Sequence, residues 1–384
     1  MRNLLLTAVL LLSGALVYAQ RDITFEDILN GERVTGVELS HNGKLVLEHF
    51  TVTDGPKTTR FSLVKDLQSG KQLARFDSVA VSWMPVTEAL LLQRGDSLVK
   101  ASPGGGEEVL ACGLPEGHVQ MAPTEDYLVI TRIRKGPRED PDVFRIWEPD
   151  DRQPGWRDRS YLLSYDLATG DTLRLTRGPH NHYLEDFSAD GRKLLIGSAR
   201  TRLEKRPTTV NSLLLLDLKT MKADTLLRDE GFLGGACLSP DGKTVLLNAS
   251  PEAFGGIGEH IKPGQTSSMI FQVLYTLDVA SGKITPITDR LPQCIQTYNW
   301  SRSDGQIYFQ AEDRDCQALF TINPETWKIT RLPAEEELVT GYSEHAGRIA
   351  YVGEGTMNSM RAWCLDLKKG KTTLLEDSSA KLLE

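Results

Sequence analysis

One serine stands in a sequence context that could make it a nucleophile. The segment Gly341-Tyr-Ser-Glu-His345 is close to the pattern G-x-S-x-G, in which a sharp turn between a strand and a helix exposes a serine hydroxyl. His345 takes the place of the second glycine, and the segment lies in a repeat of strand-forming residues. The full pattern occurs nowhere else in the chain. We therefore predict that Ser343 is not catalytic and that this chain alone has no catalytic residues.

Two histidines and a glycine-rich segment are weaker candidates for ligand binding. His180-Asn-His182 could direct two imidazoles at a metal ion, with Glu185 or Asp186 as a third ligand, but a metal site needs three or four placed ligands. Phe254-Gly-Gly-Ile-Gly258 lacks the preceding strand and the following helix of a phosphate-binding loop. We expect a polar turn at the first place and a flexible surface loop at the second. We predict no metal and no cofactor.

Two insertions rich in aromatic, arginine and glycine residues are the strongest candidates for a contact surface. The first runs from about Arg132 to Arg159, and the second from about Ser250 to Gln265. Aromatic and arginine side chains are enriched where proteins touch their partners. A self-packed insertion is the alternative interpretation. The residues that we predict to contact a partner or a peptide are Arg145, Trp147, Trp156, Arg159 and Phe254.

The elements that would position these residues are short strands, because a turn signal recurs along the chain. Each copy ends in glycine and is followed by a short apolar run. Asp-Gly and Asn-Gly suit the positive φ angles of tight hairpin turns. The clearest copies are Ser40-His-Asn-Gly43, Ser188-Ala-Asp-Gly191, Ser239-Pro-Asp-Gly242 and, one residue longer, Ser301-Arg-Ser-Asp-Gly305.

A second signal, Asp-x-x-Thr/Ser-Gly, alternates with the first. The aspartate can close a turn on backbone N–H groups, and the glycine takes the left-handed position. Its copies are Asp66–Gly70, Asp166–Gly170 and Asp278–Gly282, with looser forms ending in Met221, Trp327 and Gly370.

Together the signals describe a repeat of four antiparallel strands, which is typical of a propeller blade. The sequence predicts an all-β fold, a β-propeller with seven four-stranded blades, or alternatively eight. Both insertions fall between the middle strands of a blade and should project from one rim, where long loops usually carry function. The blades should begin near Val34, Ser78, His118, His180, Phe232, Pro292 and Val339.

Composition and the first residues indicate an exported protein. The net charge of −8 argues against a nucleic-acid partner. Residues 1–19 have the positive start, short apolar run and small-residue cleavage site of a signal peptide, so we expect a periplasmic or extracellular location in bacteria. No later stretch could cross a membrane.

Five scattered cysteines without a CxxC pair favour buried free thiols over zinc ligands or a disulfide.

The ordered set of motifs resembles the N-terminal β-propeller of the prolyl oligopeptidase family of serine peptidases, in its dipeptidyl-peptidase-like and acylaminoacyl-peptidase-like branches. The resemblance covers nearly all of the mature chain. Single blade motifs are shared with TolB-like and other propellers. The segments that carry it are Ile23–Leu29, Val37–Lys44, Arg145–Asp166, Ala249–Gly258 and Ala311–Asp315.

The resemblance implies a propeller that caps an α/β-hydrolase domain bearing a Ser-Asp-His triad and limits which peptides reach it. Residues 20–33 would be an N-terminal segment, residues 34–376 the propeller, and residues 377–384 the start of a linker to the hydrolase. The ring would close by strand exchange or by packing, and the N-terminal strand could complete the last blade. Glu335-Glu-Glu337 is similar to the glutamates that hold a substrate amino terminus in dipeptidyl peptidases, but we expect a solvated acidic turn there.

Two functions follow as hypotheses. The first is a non-catalytic, substrate-gating propeller of an exported peptidase, whose partners are the hydrolase domain and short peptides. The second is a stand-alone, periplasmic TolB-like propeller that acts as a protein-binding scaffold.

Overall fold

The computed structural model of the chain describes residues 24–137, 143, 145–147, 151, 153, 155–202 and 204–380. The predicted signal peptide lies outside the described residues. Within these ranges two short helices, α1 (Phe25–Leu29) and α2 (Ala253–Gly256), accompany the strands. The helix α1 ends two residues before Gly31, whose φ is 108°.

The described strands form five four-stranded antiparallel sheets and one eight-stranded sheet. The eight-stranded sheet consists of two four-stranded antiparallel halves, which a single parallel bridge between Gln317 and Leu338 joins. We number the seven four-stranded units in chain order as sheets 1 to 7, each from consecutive strands. Sheet 1 holds β1 (Gly31–Leu39), β2 (Leu45–Asp54), β3 (Lys57–Asp66) and β4 (Gln72–Asp77); sheet 2 holds β5 (Ala80–Trp83), β6 (Leu90–Arg94), β7 (Ser97–Ala101) and β8 (Glu107–Ala111). Sheet 3 holds β9 (His118–Met121), β10 (Tyr127–Arg134), β11 (Arg159–Asp166) and β12 (Thr172–Arg174); sheet 4 holds β13 (Asn181–Phe187), β14 (Lys193–Thr201), β15 (Thr209–Asp217) and β16 (Lys222–Glu230). Sheet 5 holds β17 (Leu233–Leu238), β18 (Thr244–Ala249), β19 (Val273–Asp278) and β20 (Ile284–Pro286). Sheet 6 holds β21 (Cys294–Trp300), β22 (Ile307–Asp313), β23 (Cys316–Asn323) and β24 (Lys328–Arg331); sheet 7 holds β25 (Leu338–His345), β26 (Arg348–Gly355), β27 (Asn358–Asp366) and β28 (Lys371–Asp377).

The turns between these strands have the geometry that the two sequence signals predict. In the first signal, Gly43 and Gly242 take φ of 64° and 68°. In the second, Asp66 Oδ1 accepts the N–H groups of Ser69 at 2.8 Å and of Gln68 at 3.2 Å. Local turn chemistry therefore fixes where each hairpin begins and ends.

A cluster of buried apolar side chains fills each interface between neighbouring sheets, including the interface between sheet 7 and sheet 1. The sheets therefore follow one another around a ring, and the all-β propeller class is confirmed. One buried pair from each interface, in ring order from sheets 1 and 2, is Leu47 with Trp83, Leu98 with Met121, Val129 with Leu184, Leu215 with Ala236, Leu246 with Ile295, Leu319 with Val339, and Val352 with Val34.

The ring closes by packing between sheets 7 and 1, without strand exchange among the described strands. The N–H of Val34 donates to Ser378 Oγ at 2.9 Å. Lys65 Nζ lies 2.6 Å from Glu48 Oε2, whose side chain is fully buried, and 2.8 Å from Glu376 Oε2. We call this interface the seam. Side-chain contacts hold it, since no backbone ladder between the described strands crosses it.

Three boundaries in the structure differ from those that the sequence predicted. Sheet 1 begins at Gly31, and Ser378 and Ser379 are buried against the ring although we predicted a linker from residue 377. The second insertion runs on to residue 272, since β19 begins at Val273.

The structure also bears on the predictions about membrane-spanning segments and about the cysteines. No described helix is long and apolar enough to cross a membrane. All five cysteines are free, as predicted, but the prediction that they are buried is confirmed only for Cys364. Cys112 is exposed, and the other three are partly exposed.

Candidate functional site

The first strand of each sheet lines the central channel of a propeller, and the ring has two distinct faces. The turns between first and second strands, such as Ser239–Gly242, lie on one face, which we call the turn face. The loops between second and third strands lie on the opposite face, which we call the insertion face. Both insertions connect the middle strands of their sheets, as predicted.

β-Bulges shape the channel wall in sheets 1, 4, 5, 6 and 7. In each of these inner strands one residue is added to the register with the second strand. A bulge re-aims the side chains around it and leaves its extra residue unpaired. In β13 the extra residue is Glu185, which turns a carboxylate toward sheet 5.

A cavity of about 480 Å³ opens on the channel wall where sheets 6, 7 and 1 meet. It contains two carboxylates and several hydroxyl groups, but no lysine or arginine lines it. Its surface therefore offers mainly hydrogen-bond acceptors and negative charge. The lining residues are Val37, Glu38, Thr297, Tyr298, Asn299, Gly341, Tyr342, Ser343, Glu344 and His345.

Glu344 is the most enclosed carboxylate of the cavity. Its Oε2 accepts the hydroxyls of Ser301 at 2.9 Å and Ser303 at 3.1 Å, and its Oε1 accepts Asn299 Nδ2 at 3.1 Å. Burial raises the pKa of Glu344 to about 7, although the serine hydrogen bonds oppose this shift. Near neutral pH this carboxyl group can hold or release a proton.

Ser343 supports the structure of the seam. Its Oγ accepts the N–H of Leu39 at 3.0 Å, and it lies on β25 with no strand-to-helix turn. The neighbouring His345 is packed edge-on against His41, with ring centroids 4.8 Å apart. Burial, with a smaller effect of His41, lowers the pKa of His345 to about 4. Ser343 thus makes a structural contact at the seam, and its lack of a catalytic role stays a prediction.

A second acidic group lies on the wall in sheet 4. Glu185 Oε2 accepts the N–H of Ala236 at 3.3 Å, and Asp186 Oδ2 accepts the N–H of Leu238 at 2.8 Å. Desolvation raises the pKa of Glu185 to about 7 and also raises the pKa of Asp186. The two carboxylates therefore bind sheet 5 through its backbone. We had considered them only as metal ligands.

The described residues contain no group of three or more His, Cys, Asp or Glu side chains that could hold a metal ion. His180 and His182 stack with ring centroids 6.4 Å apart, and His182 is buried. The backbone N–H of His182 donates to Ser160 Oγ of sheet 3 at 3.1 Å. This bond holds the start of β13 against the neighbouring sheet, and the two histidines do not form part of a ligand set.

The first insertion brings its tryptophan and arginine side chains together in pairs. The Arg145 guanidinium lies 4.5 Å from the ring centre of Trp147, and that of Arg159 lies 6.0 Å from the ring centre of Trp156. Trp147 is 57% exposed. The described part of the insertion is also held from within, since buried Asp151 accepts Trp147 N at 3.0 Å. Contact with a partner thus remains a prediction for this pair.

Arg159 and Phe254 are the most constrained of the five predicted contact residues. Arg159 donates to the carbonyl oxygens of Pro179 at 2.7 Å and of Trp156 at 2.8 Å, so its guanidinium anchors the loop. Phe254 packs edge-on against Tyr275, with ring centroids 5.0 Å apart, and is only partly exposed. Their contact with a partner also stays a prediction.

The acidic run at residues 335–337 differs from the solvated turn that we expected. Glu336 is 7% exposed and accepts Trp363 Nε1 at 2.8 Å and Asn358 Nδ2 at 2.7 Å. Glu337 Oε2 accepts the hydroxyl of Thr356 at 2.6 Å. These carboxylates brace sheet 7, a role that depends on partners about 20 residues away in sequence.

The sequence matches no protein-family model and no curated protein sequence. Solved structures are similar in fold. Acylaminoacyl peptidase of Pyrococcus horikoshii is 14% identical with a TM-score of 0.68, over 93% of this chain and 55% of that chain. The β-propeller domain of the Trilobed protease from Pyrococcus furiosus is 12% identical with a TM-score of 0.63, over 91% of this chain and 96% of that chain. Puromycin hydrolase is 15% identical with a TM-score of 0.60, over 93% of this chain and 55% of that chain.

These structural neighbours are β-propeller domains of prolyl oligopeptidase-family peptidases, and they cover most of this chain. The chain itself spans about half the length of the first peptidases that it matches. The Trilobed protease domain is described as having an open velcro topology. At such low identity the similarity establishes the fold alone.

Proposed function

We propose that this chain is the non-catalytic propeller of an exported prolyl-oligopeptidase-type serine peptidase. In this proposal an α/β-hydrolase domain docks on the insertion face, and the propeller restricts which peptides reach the catalytic serine. The fold similarity to propeller domains of peptidases supports the choice of enzyme class. The first 19 residues support export.

The observation that carries the proposal is the uneven distribution of exposed apolar side chains. Most of the large apolar side chains that are exposed in the described chain lie on the insertion face, and few lie on the turn face. Clustered exposed apolar groups mark contact surfaces in soluble proteins. Those of the insertion face are Phe25, Leu29, Ile133, Val143, Ile146, Trp147, Ile257, Ile261, Met269, Ile270 and Met357.

The chemistry of the channel supports the peptide part of the proposal. The wall cavity could accept a short peptide segment, since its volume is within the range of ligand pockets. Glu38 and Glu344 supply acceptors for backbone N–H groups or for a positively charged group. Because neither lysine nor arginine lines this cavity, and His345 has a pKa lowered to about 4, the cavity would disfavour acidic peptides.

Binding of the hydrolase to single-residue variants tests the proposal. The α/β-hydrolase encoded in frame with, or beside, this chain is purified and titrated with it. Ile270→Asp and Met357→Asp, at positions 80% and 93% exposed, should each weaken binding about tenfold, because a charge would be buried in an apolar contact.

Val86→Asp is the matched control, since Val86 is 60% exposed but lies on the turn face. Equal effects of all three variants would contradict the proposed docking face. A monodisperse chain that binds no hydrolase would instead support the stand-alone scaffold.

A further inference from the structure

The turn that ends the inner strand of sheet 6 is one residue longer than its counterparts. Gly305 N donates to Ser301 O at 3.1 Å around this turn, whereas the four-residue turn of sheet 5 closes from Gly242 N to Ser239 O at 2.9 Å. The longer turn presents Arg302, which is charged at every physiological pH. Its side chain is 37% exposed.

Arg302 binds a sheet that is not a neighbour of its own. Its Nη2 donates to Asp186 Oδ1 at 2.9 Å and to the carbonyl oxygen of Phe187, both at the turn-face end of β13 in sheet 4. Sheet 5 lies between sheets 4 and 6, as the apolar clusters on its two sides show. The inner strands line the channel, so a direct contact between the inner strands of sheets 4 and 6 must pass through the channel in front of sheet 5. The Arg302 side chain therefore crosses the channel side of β17.

The inner strand of sheet 5 leaves room for this crossing. Its bulge contains Gly234 and Gly235, and a Cβ on Gly235 would lie 2.8 Å from the hydroxyl of Tyr298 in sheet 6. Sheet 6 thus sends two side chains, Tyr298 and Arg302, across sheet 5 toward the carboxylates of sheet 4. Asp186 is fixed from a second side because it also accepts Leu238 N.

We propose that Arg302, held by Asp186, narrows the turn-face end of the channel and sets the size of molecule that can pass it. This inference deepens the proposed function and rests on it for its meaning, since a size limit matters only if peptides use the channel. The narrowing itself is a geometric claim, and it can be tested without a hydrolase domain.

Cys237 is a natural reporter for this end of the channel. It lies on β17 between Ala236 and Leu238, whose N–H groups bind Glu185 and Asp186. The residue is partly exposed, and its thiol packs against the apolar cluster between sheets 5 and 6. Burial raises the pKa of this thiol to about 12. Asp186 also raises this pKa and Arg302 lowers it. Loss of the arginine charge alone would therefore slow alkylation of Cys237, whereas a wider opening would accelerate it.

The experiment compares alkylation of Cys237 by iodoacetamide and by a bulky pyrene maleimide, with each site followed by peptide mass spectrometry. In Arg302→Ala we expect the maleimide rate at Cys237 to rise at least about fivefold, and the iodoacetamide rate to rise less, because access limits the larger reagent more. Arg302→Lys keeps the charge and much of the length, so its rates should stay near those of the unmodified chain. Cys294, the first residue of β21 and therefore at its insertion-face end, is the internal control.

An unchanged ratio of maleimide to iodoacetamide rates in Arg302→Ala, or a slower reaction with both reagents, would overturn the inference. If Arg302→Ala also exposes buried Cys364, the ring has loosened as a whole, and Arg302→Met, which keeps the aliphatic length, replaces it under the same criterion. Failure here would leave hydrolase binding on the insertion face untouched, and loss of hydrolase binding would leave the labelling result untouched.

Discussion

Trp327 and Met221 stand in a backbone conformation that ordinarily favours glycine. They occupy the last position of the second turn signal, with φ of 56° and 53°, where Gly70 and Gly282 have 68° and 70°. A side chain in this region costs about 1–2 kcal/mol relative to its usual conformation. The turn tolerates the substitution because the neighbouring strands fix it.

Replacing the tryptophan by glycine should therefore stabilise the fold. Trp327→Gly is expected to raise the free energy of unfolding by about 1 kcal/mol, because relief of the strain exceeds the entropy that glycine adds to the unfolded chain. Gly282→Ala, in open space at the equivalent position, is the reverse change and should destabilise by a similar amount. Urea denaturation measures both, and a destabilised Trp327→Gly would show that the indole makes contacts worth more than the strain.

Glu185 should make stability depend on pH. Its pKa is about 7 in the fold and 4.5 ordinarily, so between these pH values the folded protein holds a proton that the unfolded chain has released. The free energy of unfolding therefore falls as pH rises through this window. Glu185→Gln removes this proton but keeps an acceptor for Ala236 N.

The free energy of unfolding of Glu185→Gln, relative to the unmodified chain, should rise by about 1–3 kcal/mol between pH 5 and pH 8. Glu107→Gln is the control, because the hydrogen bond from Arg94 lowers the pKa of that exposed carboxyl group. A difference for Glu185→Gln that is independent of pH would mean that the carboxyl group ionises normally in the channel.

At the scale of the elements, the seam depends on a buried ion pair. Lys65→Met would leave the fully buried Glu48 carboxylate without its cation, and should destabilise the protein by about 3–5 kcal/mol. Adding Glu48→Gln should recover most of that loss. Arg75→Ala, which removes an exposed ion pair with Asp77 in the same sheet, should cost less than about 1 kcal/mol. Comparable losses for Lys65→Met and Arg75→Ala would contradict the role given to the seam.

The sheets could be predicted from sequence because their information is local. Most hairpins between first and second strands, and between third and fourth strands, contain a recognisable turn of four or five residues, and these turns indicate the strand order. The length of the second insertion was missed, because residues 266–272 contain no signal for the start of β19. The way in which the ring closes could not be predicted either, because strand exchange and packing between sheets would use the same strands.

The site was harder to predict, because its residues act through partners that are distant in sequence. Glu336 looks like one member of an acidic turn until Trp363 and Asn358 enclose it. Arg302 and Asp186 are 116 residues apart. The single extra residue in the turn Ser301–Gly305 was a visible signal, but only the ring shows that it extends past a whole sheet.

At the scale of the whole molecule, the two faces have different roles in the function that we propose. The insertion face carries the exposed apolar groups, while the turn face is bound together by contacts between successive turns. Val86 N and Thr87 N donate to Glu125 Oε1 at 2.9 and 2.8 Å, and Tyr127 Oη donates to Gly191 O at 2.7 Å. A rigid turn face and an adherent insertion face suit a cap whose channel leads toward one docked domain.

The most direct test of this account is the effect of the chain on substrate size. The hydrolase encoded with it is assayed with and without the chain, on fluorogenic dipeptide amides and on unfolded casein. The account predicts that the propeller lowers casein cleavage at least about tenfold, a difference of about 1.4 kcal/mol, while dipeptide hydrolysis changes much less. Equal effects on both substrates, or the absence of any α/β-hydrolase sequence in or beside this reading frame, would contradict it.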